Sequence, residues 1–143
     1  MIGPVGADTG GLLKALVRNT DGSASFPEFE QVLLTARTVI VPALVLAEID
    51  YFSCRERHAM RKLVADIFDP QTRYDYEPAL PSDIVRALQL DARFAELEIG
   101  LVDGIVAAVA ERRGVHRILT TDRRDFSALR VGSRFARAFE LLP

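Results

Sequence analysis

Four carboxylates carry the chemistry this sequence offers: Asp8, Glu48, Asp103 and Asp122. Glu48 is the hardest to explain by structure alone. It lies within Ala43-Leu44-Val45-Leu46-Ala47-Glu48-Ile49-Asp50-Tyr51-Phe52, flanked by apolar side chains, and leaving a buried carboxylate unpaired costs roughly several kcal/mol. It therefore needs a cation, either an Arg in a purely structural pair or a divalent metal shared with the other three acids. The metal is the stronger reading, because Asp8, Asp103 and Asp122 fall at equivalent topological places. Clustered carboxylates repel and raise one another's pKa values unless a hard cation neutralises them. Oxygen-only ligation without His or Cys suits Mg²⁺ or Mn²⁺. An ion of that kind activates a water and binds a phosphate oxygen, so phosphodiester hydrolysis is the natural reaction.

Taken singly, two of these acids have plain explanations: Asp103 complements a helix dipole, and Asp122 shapes a turn. The elements around them make the case for convergence. From Val102 the apolar positions Val102, Ile105, Val106 and Val109 recur at helical spacing, and Arg112-Arg113-Gly114 supplies the stop. Residues 117–120 read as a short strand, so Asp122 lies just past a strand's carboxyl end. In open parallel sheets the ligand crevice lies at that end.

Elsewhere, residues 2–7 must form the first strand if Asp8 is to mirror Asp122, although Gly3, Pro4 and Gly6 make it a poor one. Helices are expected over 9–18, 26–36, 42–54, 56–68 and 81–97, the last with Ile84, Leu88, Asp91 and Phe94 spaced along it. Strands are expected at 38–41 and 137–142, with an extended edge segment at 73–76 and a helical turn at 127–130. Strands alternating with helices imply parallel pairing and a three-layer α/β/α domain with a central, mostly parallel sheet.

The chain has 143 residues, 49% of them apolar, which is enough for one domain, 1–143, with its own core. Eighteen Lys and Arg against 20 Asp and Glu give a net charge of −2, so no global basic field announces a protein that coats nucleic acid. An enzyme that meets a polyanion through a divalent cation remains compatible with that balance. The single cysteine, Cys54, excludes an internal disulfide and a Cys-based zinc site. Apolar windows such as 39–49 are too short to span a bilayer, and the N-terminal residues lack the pattern of a signal peptide. A cytoplasmic protein is expected.

Four segments then match a known family in order and spacing: Ala7-Asp8-Thr9 with Leu12-Leu13, Val41-Pro42-Ala43-Leu44-Val45-Leu46-Ala47-Glu48, Gly100-Leu101-Val102-Asp103, and Ile118-Leu119-Thr120-Thr121-Asp122-Arg123-Arg124-Asp125-Phe126. Across essentially its whole length the chain resembles the PIN-domain ribonucleases, and within them the VapC toxins of bacterial toxin–antitoxin pairs. The resemblance implies a Mg²⁺-dependent endoribonuclease whose metal is held by Asp8 and Asp103, with Glu48 and Asp122 completing the shell, and with Thr9 and Thr120 as hydrogen-bonding support. It further implies a homodimer, an antitoxin that covers the cleft, and a structured RNA substrate such as tRNA. The chain departs from the family at Gly10 and Gly11, where Ser or Ala is usual, and at Gly104. Those glycines are expected to loosen the surroundings of Asp8 and weaken metal binding.

Other residues admit two readings. Asp125 reads first as a helix cap and second as a further acid near the metal. Arg123 and Arg124 either grip RNA phosphates or solvate a loop. Arg55, Arg57, Arg61 and Lys62 form a solvated helix face first and an RNA or partner surface second. His58 and His116 read as surface residues, and Tyr51, Phe52 and Phe68 as core or dimer interface. A catalytically weak PIN-like module that binds RNA or protein is the rival from another class. A nucleotide phosphohydrolase ranks lower, since no Gly-rich phosphate loop is present.

Overall fold

The computed structural model describes every residue from Met1 to Pro143. In chain order the elements are β1 (Val5–Ala7), α1 (Thr9–Leu16), α2 (Pro27–Thr35), β2 (Val39–Pro42), α3 (Ala43–Phe52), α4 (Arg57–Ile67), β3 (Tyr74–Glu77) and α5 (Pro81–Arg93). A 3₁₀ turn over Ala95–Leu97 leads to α6 (Leu101–Arg112), β4 (Arg117–Leu119), α7 (Arg123–Ala128), β5 (Arg130–Val131), β6 (Arg137–Ala138) and β7 (Glu140–Leu142). Five strands form one sheet in the order β3-β2-β1-β4-β7, and every pairing in it is parallel. Helices flank the sheet, giving the expected α/β/α architecture.

Parallel strands buried on both faces read as continuous apolar runs. β2 fits that description, with Val39, Ile40 and Val41 enclosed. The central strand β1 does not, yet its residues are wholly buried between β2 and β4. Gly6 pairs with Ile40 on one side and Ile118 on the other, and a Cβ there would stand 3.1 Å from Ile118 Cδ1. Tertiary packing overrides a weak strand propensity at this point.

α6 is the most enclosed helix, buried from Gly104 through Ala110, and it packs against β1, β2 and α5. Gly104 is where α5 comes closest: a Cβ would lie 2.9 Å from that of Ala87. On α5 the buried residues are Asp83, Ala87 and Leu90, whereas Ile84 and Leu88 face outward. The inward face is thus offset by one position from the spacing of Ile84, Leu88 and Asp91. Asp83 is buried against Arg112, whose Nε and NH2 donate to it at 2.9 and 3.0 Å, while the Leu80 N–H donates at 2.9 Å. Burial alone would raise the Asp83 pKa, but these donors hold it below the usual carboxylate range.

Several boundaries differ from expectation. Pairing in β1 begins only at Val5, with a lone bridge from Ile2 to Ala36 before it. The closing segment 137–142 is split: Arg137 and Ala138 pair antiparallel with β5, and the buried Phe139 intervenes before β7 joins the main sheet. Of the turn expected at 127–130, only Ser127 and Ala128 are helical, as the end of α7, which starts at Arg123; Arg130 already lies in β5. The helix expected over 81–97 ends at Arg93 and passes through Phe94 into the 3₁₀ turn. Tyr51, Phe52 and Phe68 are exposed and so are not core in this chain.

Both edges of the sheet carry acids. On β3, Asp75 and Glu77 pair with Arg113 at 2.7 and 3.2 Å, and Glu77 also pairs with Arg112. On β7, Glu140 pairs with Arg117 at 3.1 Å.

Candidate metal centre

Asp8 immediately follows β1 and caps α1, while Glu48 lies halfway along α3, the helix that directly follows β2. Asp103 is the third residue of α6, and Asp122 is the N-cap of α7, just beyond β4. Because β1, β2 and β4 run parallel, Asp8, the start of α3 and Asp122 lie at the same end of the sheet. The charges of Asp8, Asp122 and Glu48 all bear on Asp103, so the four acids share one end of the sheet.

Hydroxyls hold them in place. Thr120 Oγ1 donates to Asp8 Oδ2 at 2.8 Å and accepts from the Asp122 N–H at 2.9 Å. Thr9 Oγ1 donates to Glu48 Oε1 at 2.5 Å. Thr9, Thr120 and Asp8 are all buried. Asp122 Oδ1 accepts from the Asp125 N–H at 3.0 Å, which closes the cap of α7.

No Lys or Arg lies within ion-pair distance of any of these acids. The structural explanation for Glu48, an arginine partner, is therefore absent; its partner is the Thr9 hydroxyl. Glu48 is also less enclosed than its neighbours suggest, being half-buried, because only Val45 and Ile49 of α3 are buried.

The electrostatics follow from this geometry. Burial pushes the Asp103 carboxyl up to about 7, and the negative charges of Asp8, Asp122, Glu48 and Asp125 add to it. Burial also raises Asp8, against the lowering effect of the Thr120 hydroxyl and the Thr9 backbone. Protonation or a bound cation would relieve a group of acids held together against both desolvation and mutual repulsion.

Asp125 belongs to that group. Carboxylate oxygens of Asp103, Asp122 and Asp125 lie within 4.8 Å of one another. Asp125 does not cap α7, since Asp122 does; it sits in the first turn, with Oδ1 buried and lacking a hydrogen-bond partner. Burial first, then the neighbouring Asp122, raises its pKa. The signal in the sequence was the three-residue spacing from Asp122, which puts both carboxyls on one side of a helix start.

The family model for the PIN domain matches residues 7–132. The chain belongs to the PIN domain family. Among solved structures, the fold is similar to VapC20 of Mycobacterium tuberculosis, described as a toxin that cleaves the sarcin–ricin loop, at 21% identity and a TM-score of 0.67, covering 87% of this chain and 94% of that one. It is also similar to VapBC2 of Rickettsia felis bound to a fragment of promoter DNA, at 16% identity and a TM-score of 0.65, covering 98% and 99%. A toxin–antitoxin complex from Klebsiella pneumoniae aligns at 16% identity and a TM-score of 0.64, covering 87% and 91%. No curated protein sequence matches.

Gly10 and Gly11, expected to loosen the surroundings of Asp8, are instead tightly enclosed. A Cβ on Gly11 would collide with the Leu119 carbonyl, and one on Gly10 with the Thr121 hydroxyl. Their absence of a side chain lets the first turn of α1 press against the end of β4, bringing Asp8 to Thr120.

Proposed function

We propose that this chain is a metal-dependent endoribonuclease acting as the toxin of a toxin–antitoxin pair, built as a single PIN domain over residues 1–143. The observation that carries the reading is a set of five acids, Asp8, Glu48, Asp103, Asp122 and Asp125, that bear on one another while none forms an ion pair with a Lys or Arg. Their donor set, all carboxylate oxygen, fits Mg²⁺ or Mn²⁺. When bound, such an ion neutralises the acids, polarises the scissile phosphate and lowers the pKa of a water.

The protein's own residues then have distinct tasks. Asp8 and Asp103 hold the ion most directly, on the rigid end of β1 and the first turn of α6. Glu48 and Asp122 complete the shell, Glu48 aimed by Thr9 and Asp122 by the Thr120 hydroxyl. By donating to Asp8, Thr120 favours its ionised form and offsets part of the rise that burial imposes.

The structural similarity to toxin–antitoxin complexes supports an antitoxin partner that covers this cleft. A structured RNA, tRNA among the candidates, is the substrate we infer, and the cytoplasm is where it would be met. No helix is long and apolar enough to cross a membrane. Ile84, Val85 and Leu88 on α5, with Leu101, form an exposed apolar surface that supports homodimerisation.

The test is cleavage of total cellular RNA by the purified protein in Mg²⁺ or in EDTA, with Asp8→Asn and Asp103→Asn variants checked for folding. Discrete products that need the metal and vanish in both variants are expected. Folded, metal-loaded protein that cuts none of a varied RNA set would refute the ribonuclease reading and favour a binding module.

A further inference from the structure

Beside the acid cluster a cavity of about 470 Å³ opens between α1, α2 and the turn from β4 into α7, lined chiefly by Lys14, Glu28, Thr120, Thr121 and Arg123. Its size lies within the range of about 300–1,000 Å³ that holds small ligands. It shares a wall with the metal centre. Thr120 lines the cavity and, through its hydroxyl, also fixes Asp8 and Asp122.

The cavity's chemistry is opposite in sign to that of the cluster next to it. Lys14 has no carboxylate partner; its ammonium stands over the rings of Phe26 and Phe29, at 4.7 and 5.3 Å from their centroids, which holds it in place without neutralising it. Arg123 donates one N–H to the main-chain oxygen of Pro143 at 3.0 Å and has no Asp or Glu side chain as partner. Arg18, Arg57, Arg86, Arg112, Arg113 and Arg117 are each engaged by a carboxylate, whereas Arg123, like several other surface arginines, is not; what sets it apart is its place in this groove. Thr121 is exposed, and its hydroxyl, lodged against Gly10, makes no hydrogen bond within the chain. Glu28 is the one acid among the lining residues.

We propose that this groove is a phosphate subsite for the substrate strand: it receives the nucleotide next to the scissile bond, with Lys14 and Arg123 gripping its phosphate and the Thr121 hydroxyl donating to it. The inference rests on the ribonuclease reading above. Arginine supplies a fork and lysine a point charge, both suited to phosphate oxygens. Contacts of this kind carry no base information; they set which phosphodiester comes to rest on the acids. Lys14 and Arg123 are therefore positioning residues, which place the strand and leave bond cleavage to the cluster.

The probe is a fluorescein-labelled pool of random-sequence octaribonucleotides, read by anisotropy across a salt series with Asp103→Asn protein, so that the strand stays intact. Each phosphate contact on a single strand contributes about 0.7 to the slope of log affinity against log salt. Because both side chains grip one phosphate, Lys14→Gln with Arg123→Gln in that background is expected to lower the slope by about 0.7. Arg61→Gln, on α4 against the far edge strand β3, is expected to leave it unchanged. In cleavage-competent protein the double variant is expected to raise KM by a larger factor than it lowers kcat. An unchanged slope and KM in protein that binds and cuts RNA would overturn the subsite while leaving the nuclease standing, as would an equal loss from Arg61→Gln. Parent protein that neither binds nor cuts RNA would overturn both.

Discussion

Asp103→Asn in metal-free protein is expected to stabilise the fold while abolishing activity. The wild-type carboxyl rises from its ordinary 3.8 to about 7 on folding. At 1.36 kcal/mol per unit that difference has a ceiling of about 4 kcal/mol. The side chain is only partly enclosed, and solvent screening reduces the figure to about 2 kcal/mol. A folded-state pKa above the unfolded one means that the native state binds more protons between the two values. Stability from this group is therefore complete below about pH 4 and lost as pH climbs towards 7. At pH 8 in EDTA the wild type carries the unfavourable charge, whereas Asn cannot ionise. The variant should then melt about 5–8 °C higher. Thermal denaturation at a series of pH values checks this: the gap should close steadily as pH falls and nearly vanish at pH 4. Added Mg²⁺ should raise the melting temperature of the wild type and not of the variant, since only a ligand that binds the native state stabilises it. A variant less stable than wild type at pH 8, or a gap independent of pH, would refute the account of Asp103 as a desolvated, crowded acid.

Three further outcomes follow from the packing. Gly11→Ala drives a Cβ into the Leu119 backbone and should lower both the melting temperature and metal affinity, whereas Gly10→Ala meets only the movable Thr121 side chain and should cost less; equal effects would contradict the close approach described. Thr120→Val removes the hydroxyl that donates to Asp8, a charged hydrogen bond worth about 1.5–3 kcal/mol, so Mg²⁺ titration by calorimetry should show weaker binding and the acidic limb of the cleavage profile should move to higher pH. Asp83→Ala removes one of the two carboxylate partners of Arg112, which keeps Glu77, and should cost about 1–3 kcal/mol in chemical denaturation, with cleavage unaltered once folded.

Much of the site was legible because its acids sit at positions fixed by topology. Asp103 and Asp122 adjoin a helix and a strand whose apolar patterns are strong, Asp8 is placed by analogy with Asp122 despite its weak strand, and parallel pairing does the rest. What the sequence hid depends on distances across the sheet. Gly10 and Gly11 look like flexible residues until the end of β4 is placed against them. Asp125 reads as a cap until Asp122 is seen to occupy that role. On α5 the spacing of Ile84, Leu88 and Asp91 suggested a face, but a buried ion pair, Asp83 with Arg112, drew the helix round by one position. The division of the last residues between a two-residue ribbon and β7 follows from burial of Phe139, and nothing in a run as short as Arg137–Leu142 reveals it.

The charged rims of the sheet have a consequence for how this chain meets other proteins. An open parallel sheet presents two rows of unsatisfied backbone groups, each a template on which a foreign strand can grow. Here β3 carries Asp75 and Glu77 tied to arginines of α6 and its C-cap, and β7 carries Glu140 tied to Arg117. A strand arriving at either rim would have to displace or bury those pairs. Lengthening the sheet is thereby discouraged, and association is directed to the helical layers, where Tyr51, Phe52, Ile84, Val85 and Leu88 stand free. Neutralising the rims, rather than altering the helices, is the change that would turn a selective surface into a sticky one.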